Sequence, residues 1–132
     1  MLRNVPVLIA VLMLGIVGCK SDSEKAASDV VDKQQEVVKI LKGVTDKDSA
    51  MAAKTKLIGV AKDMSELASK WDKKKLKEDE MTKAMDKYKA DMEQNHKDIQ
   101  SEMERISKIP EAIGPIMEGM MSVTTSGAGM HP

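Results

Sequence analysis

Two groups of side chains in this sequence have types and spacings that could hold a metal. Glu93-Gln94-Asn95-His96 carries the Glu-x-x-His spacing with which carboxylate-bridged di-iron bundles ligate metal from one helix. Such a centre needs the motif twice and two further glutamates on facing helices. The other histidine, His131, stands far from this motif in the sequence. The set is therefore incomplete, and His96 reads as a solvent-facing residue beside a helix seam. Thioethers and imidazoles are soft donors that suit Cu(I). Met92 and His96 share a helix face four residues apart, and Met117, Met120, Met121, Met130 and His131 cluster late in the sequence. The chain has 12 methionines and no Phe, however, so Met81, Met85, Met92 and Met103 are needed as core. The first reading is no metal and no cofactor; copper binding through the late Met/His cluster is the alternative.

Other chemistries are poorly supplied. Lys70, Lys73, Lys74, Lys75 and Lys77 form a basic run that could touch anionic headgroups or polysaccharide. Glu78, Asp79 and Glu80 come directly after it and cancel most of its field beyond about 10 Å, so the run reads as a solvated loop. The chain has one cysteine and lacks Gly-x-Ser-x-Gly, a glycine-rich phosphate loop and Cys-x-x-Cys-His. Nucleophilic triads, nucleotide cradles, covalent haem and disulfide frameworks thus have no residues to build them. Acids and bases balance at 21 each, without the basic excess of a nucleic-acid binder. The expectation is a non-enzyme without a nucleic-acid partner. Its 132 residues suffice for one domain.

The cysteine has a context of its own. Arg3 is the only charge before Lys20, and Val5 to Val17 is an apolar run. Thirteen residues fall short of the roughly 20 that span a bilayer as a helix. A charged start, a short apolar stretch and small residues before a cut site make a secretory signal. The run ends Ile16-Val17-Gly18-Cys19, which resembles the lipobox of bacterial lipoprotein precursors, with Ile16 where Leu is commoner. The resemblance covers these nineteen residues alone. It implies that residues 1–18 are removed and that the Cys19 thiol carries a diacylglyceryl group, making membrane lipid a partner. Two or three acyl chains suffice for stable anchoring where one does not. Lys20 stands where an inner-membrane retention signal often carries Asp, so the resemblance favours the periplasmic face of the outer membrane.

The chain beyond Cys19 is patterned for helix. From Ser21 to Lys108 there is no Pro, and only Gly43 and Gly59 interrupt. Ser21-Asp22-Ser23-Glu24 has capping-box spacing and opens helix 1. Its seam runs through Ala27, Val30, Gln34, Val37, Leu41 and Val44, with Gly43 as its end. Thr45-Asp46-Lys47-Asp48 is a second cap. After it Ala50, Ala53, Leu57, Val60, Met64, Leu67 and Trp71 step 3, 4, 3, 4, 3, 4 without a miss. Helix 3 comes next, with Met81, Met85, Tyr88, Met92, Asn95, Ile99, Met103 and Ile106. Acid precedes base by four residues at Asp29–Lys33, Glu66–Lys70, Asp79–Lys83, Glu93–Lys97 and Glu104–Lys108, which supports helix throughout. Asn95 and Gln34 put amides in seam positions, where a buried amide can fix register.

The expected fold is all-α: a small antiparallel bundle of three main helices plus a short C-terminal helix, with coiled-coil-like seams. A turn near Lys74 to Leu76 would make helices 2 and 3 a hairpin; the alternative over residues 46–108 is one long rod beside helix 1. The expected segments are a removed signal (1–18), a lipidated tether (19–23), a bundle (24–109), a short apolar helix (110–121) and a disordered tail (122–132). Ile109, Ile113, Ile116, Met117 and Met120 form the stripe expected to meet a partner, either the bundle itself or another envelope protein, with self-association included. The functional expectation is a membrane-anchored, non-catalytic structural or interaction module. The third reading, a spacer between membrane and cell wall, is weakened because wall-linking lipoproteins end in Lys and this sequence reads Met130-His131-Pro132.

Overall fold

The computed structural model describes residues 21–128, so the lipobox-like Ile16-Val17-Gly18-Cys19 and Met130-His131 lie outside the described residues. Among these residues five helices occur in order: α1 (Asp22–Lys42), α2 (Lys47–Lys74), α3 (Glu78–Lys87), α4 (Lys89–Ser107) and α5 (Pro110–Ala128). There is no strand among the described residues.

Local chemistry sets the helix ends. Ser21 caps α1, its hydroxyl accepting from the Glu24 amide at 3.2 Å. Gly43 ends α1 in a right-handed conformation (φ −77°), without the left-handed cap glycine usually supplies. The second cap falls one residue later than the sequence predicts. Asp46, not Thr45, is the N-cap, its carboxylate accepting from the Ser49 amide at 2.8 Å while Ser49 Oγ accepts from the Asp46 amide at 3.0 Å. A carboxylate at this position also meets the positive end of the helix dipole. α2 stops at Lys75, which adopts the left-handed region (φ 49°). That break removes the single-rod alternative. The predicted helix 3 is two helices, because the Tyr88 amide bonds three residues back, to Met85 O, and α4 restarts from Tyr88 O.

The packing order differs from a three-helix hairpin. α1 and α2 are antiparallel, joined by Lys33–Asp63 at mid-length and Lys74–Asp22 at one end. α4 runs parallel to α1: Lys87 meets Glu24, Asn95 meets Gln34, and Arg105 meets Leu41 and Val44. The α4–α5 corner thus lies against the α1–α2 corner. From there α5 runs parallel to α2, with Glu118 paired to Lys54. Two helical hairpins therefore lie side by side. α2 packs on α1 and most extensively on α5, while α4 packs on α1 and lightly on α5; α2 and α4 do not pack on one another.

The physical reason is the size of the side chains on α2. Its face offers Ala50, Ala53 and Leu57, and α5 answers with Gly119. A Cβ placed on Gly119 would stand 2.8 Å from Leu57 Cδ1, 3.0 Å from Leu57 Cβ and 3.4 Å from Lys54 Cα. Only a glycine-bearing helix can come this near; α4, with methionines and an amide on its seam, cannot. The core formed there joins Val37, Leu41, Val44, Leu57, Val60, Ile106, Ala112 and Ile116, all nearly inaccessible to solvent.

The end of the chain corrects a second expectation. Residues 122–128 belong to α5 and are not a disordered tail. Val123 packs against the core. The hydroxyls of Ser122, Thr124 and Thr125 donate to the carbonyls of Glu118, Met120 and Met121, so their polar groups are satisfied within the helix.

Three substitutions test this packing. Gly119→Ala is expected to lower stability despite alanine's better helix propensity, because overpacking against a buried Leu57 costs about 1–3 kcal/mol. Gly59→Ala, with nothing within 4 Å of its new methyl, is expected to raise stability by about 1 kcal/mol. Urea unfolding of both decides the point; a Gly119→Ala protein as stable as the parent contradicts the close approach. Arg105→Met removes the guanidinium from Val44 O and from Leu41 O, the latter still accepting from the Val44 amide, and is expected to cost about 1–3 kcal/mol in the same assay.

Candidate functional site

Met92, Glu93 and His96, weighed above as donors and set aside, line an open depression of about 450 Å³ between α1 and α4. It is lined by Gln34, Met92, Glu93, His96, Lys97 and Gln100. Met92 is half-buried, whereas Glu93 and His96 are exposed. His96 Nε2 stands 3.1 Å from Gln100 Nε2. Among the described residues no three His, Cys, Asp or Glu side chains are grouped to hold a metal ion. The late Met/His cluster is split: Met117 and Met121 are exposed at 48% and 66%, Met120 packs against the core, and Met130 and His131 lie outside the described residues.

The apolar stripe of α5 is spent largely on the bundle itself. Ile116 is fully buried, and Ile109, Ile113 and Met120 pack against the same core. Of the two occupants expected for the stripe, the bundle itself takes Ile116: α5 lies against the small-residue face of α2, which takes up its inward stripe. Of the five residues only Met117 remains exposed. Among the described residues, Met51 and Ile58 on α2 and Met121 on α5 are the other large apolar side chains left exposed.

Three polar arrangements hold the helices that carry these groups. Asn95 is 6% exposed, and its amide donates to Val31 O and Gln34 Oε1 at 3.5 and 3.4 Å. The two seam amides thus meet each other across α1 and α4. Arg105 is not legible as a tie from spacing. Its guanidinium donates to Val44 O at 2.7 Å and Leu41 O at 2.9 Å, closing the end of α1, while its Nε donates to Glu102 at 2.8 Å. One signal is available: beyond Arg3 it is the sole arginine in a chain that otherwise uses lysine, and only a planar fork reaches two carbonyls at once.

Lys33 forms the third tie, donating to Asp63 at 2.9 Å across to α2 and to Glu36 at 3.0 Å on its own helix. The hydrogen bond to Asp63, then that to Glu36, raises its pKa above the ordinary lysine range, outweighing the opposing effect of burial. At the α2 cap the Ser49 amide, then its hydroxyl, holds the Asp46 carboxyl below the ordinary carboxylate range.

The lysines of the predicted basic run, Lys70, Lys73, Lys74, Lys75 and Lys77, are all exposed. They surround the α2–α3 turn, at the end of the bundle where α1 begins. Comparison with protein-family models, with curated proteins and with solved structures finds no match for this chain.

Lys33→Met gives a pH test of the α1–α2 tie. A raised pKa in the folded protein means that the stabilisation is complete below the unfolded lysine's pKa and is lost as pH rises through the folded value. The variant is expected to be less stable by up to about 1 kcal/mol at neutral pH, a small figure because the pair is partly solvated. Urea midpoints of the two proteins should converge above the lysine range. A gap that persists there shows that the charge of Lys33 contributes nothing.

Proposed function

We propose that this chain is a bacterial envelope lipoprotein whose helical body is a non-catalytic structural or interaction module. The observation that carries the reading is the apolar run of residues 5–17 closing on Ile16-Val17-Gly18-Cys19. Cys19 is the acylation site, and membrane lipid is the first partner. Among the described residues no helix is long and apolar enough to cross a membrane.

The position of the first helix supports the same reading. Helix α1 is capped at Ser21, two residues beyond Cys19, which leaves about 7 Å of chain between lipid and bundle. The body then stands directly on the membrane surface, not on a flexible stalk. Met51, Ile58, Met117 and Met121 remain as outward apolar side chains for contact with another envelope protein.

Expression of the full chain in a lipoprotein-processing bacterium tests the reading. Intact-mass measurement is expected to show residues 1–18 removed and a diacylglyceryl group on Cys19. Cys19→Ser is expected to leave the chain uncut and without acyl chains. A parent protein that is cut elsewhere, or cut without gaining lipid, defeats the proposal.

A further inference from the structure

The tertiary structure collects at one end of the bundle features that are scattered in the sequence. Lys74 Nζ lies 3.6 Å from Asp22 and Lys87 Nζ lies 3.4 Å from Glu24. The end of α2 and the end of α3 therefore both meet the first turn of α1. Cys19 precedes Asp22 by three residues, about 10 Å of chain at full extension. The opposite corner, at Val44 and Ile109, lies roughly 30 Å away along a 21-residue α1. We propose that the lysine-rich end of the bundle, at the α2–α3 turn, rests on the phospholipid headgroups of the membrane that holds Cys19, with Trp71 at the interface. This inference rests on the lipoprotein reading above and adds an orientation and a contact surface to it.

Charge decides which groups would meet the phosphates. Among the described residues Asp22 is paired with Lys74 and Glu24 with Lys87. Glu78, Asp79 and Glu80 fill the first turn of α3, where the helix dipole favours them. Lys70, Lys73, Lys75 and Lys77 are exposed and have no ion-pair partner among the described residues. In the isolated sequence the neighbouring acids cancel the field of this run at a distance. An acylated Cys19 holds the run within a Debye length of the surface, where individual lysines reach individual phosphates.

The turn itself is unusual in the same direction. Lys75 holds the left-handed conformation at φ 49°, where glycine or asparagine carries less strain. A lysine thus occupies the tip at a conformational cost. Trp71, one turn back, and Leu76, within the turn, are half-buried. An indole with an apolar body and a polar N–H suits the boundary between headgroup and hydrocarbon.

Trp71 is the only tryptophan in the chain, so its fluorescence reports this end alone. The experiment uses the full-length gene product purified from bacterial membranes, with the mass of Cys19 measured first. The protein is then reconstituted into vesicles of phosphatidylethanolamine and phosphatidylglycerol carrying bromine high on the acyl chains. Trp71 emission is expected to shift to the blue and to be quenched. Both effects should be reduced in about 1 M salt, where the Debye length is about 3 Å. They should also be reduced in a variant with Lys70, Lys73, Lys75 and Lys77 all changed to Gln, and restored when the four are changed to Arg. The salt arm stands even where the Gln variant fails to fold. An acylated protein whose Trp71 emission ignores the bilayer overturns the orientation and leaves the anchor intact. So does emission that ignores vesicles and responds to soluble peptidoglycan fragments. A Cys19 without lipid overturns both readings.

Discussion

Close approach of α2 and α5 is the constraint on which the rest of the structure depends. The chain has no Phe, and much of its buried set is Ala and Val, with Leu41, Leu57, Ile106 and Ile116 as the largest fully buried side chains. Small side chains cannot fill the wide gap between loosely packed helices. The helices must come together instead, and Gly119 over Leu57 and Lys54 is where they do so most closely. Once α5 occupies that face of α2, α4 must find another neighbour, and α1 provides it. The side-by-side arrangement of two hairpins results from that exclusion.

The second hairpin is held to the first largely by polar contacts. α4 buries only Asn95 and Ile106, so apolar burial alone leaves its position on α1 weakly determined. Asn95 against Gln34 and the Val31 carbonyl sets the register at mid-length, since an apolar neighbour one turn away would leave the amide without a partner. Arg105 fixes the far end by donating to the Val44 carbonyl just beyond α1 and to the Leu41 carbonyl, which also accepts from the Val44 amide. Together they give a lightly packed helix a defined place. Half-buried Ile99 and Met103 between them pack against the core and add apolar contact.

The two ends of the bundle consequently differ in chemistry. At the Val44–Ile109 corner the chain turns tightly and Arg105 seals it by donating to the Leu41 and Val44 carbonyls. At the other end the lysine run surrounds a turn without glycine, beside the start of α1. A lipid on Cys19 would place this second end at the membrane and the sealed corner away from it. The exposed apolar residues Met51 and Ile58 lie nearer the sealed corner.

Much of this is legible in the sequence, and the division has a physical basis. The apolar 3–4 spacing and the Ser21 cap depend on neighbours within one turn, so periodicity alone locates α1 and α2, their buried stripes and the all-helical class. The resemblance of Ile16-Val17-Gly18-Cys19 to a lipobox is a linear pattern and needs no fold to be read. The exact N-cap at Asp46, the split at Tyr88 and the helical 122–128 segment escape such reading because competing hydrogen bonds of a few residues, or packing by Val123, decide them. Partner choice among helices is beyond the sequence altogether. A heptad stripe states that a face is buried and says nothing of which face meets it; that depends on how near Gly119 lets two backbones approach, on two amides finding each other, and on one guanidinium reaching two carbonyls across the fold.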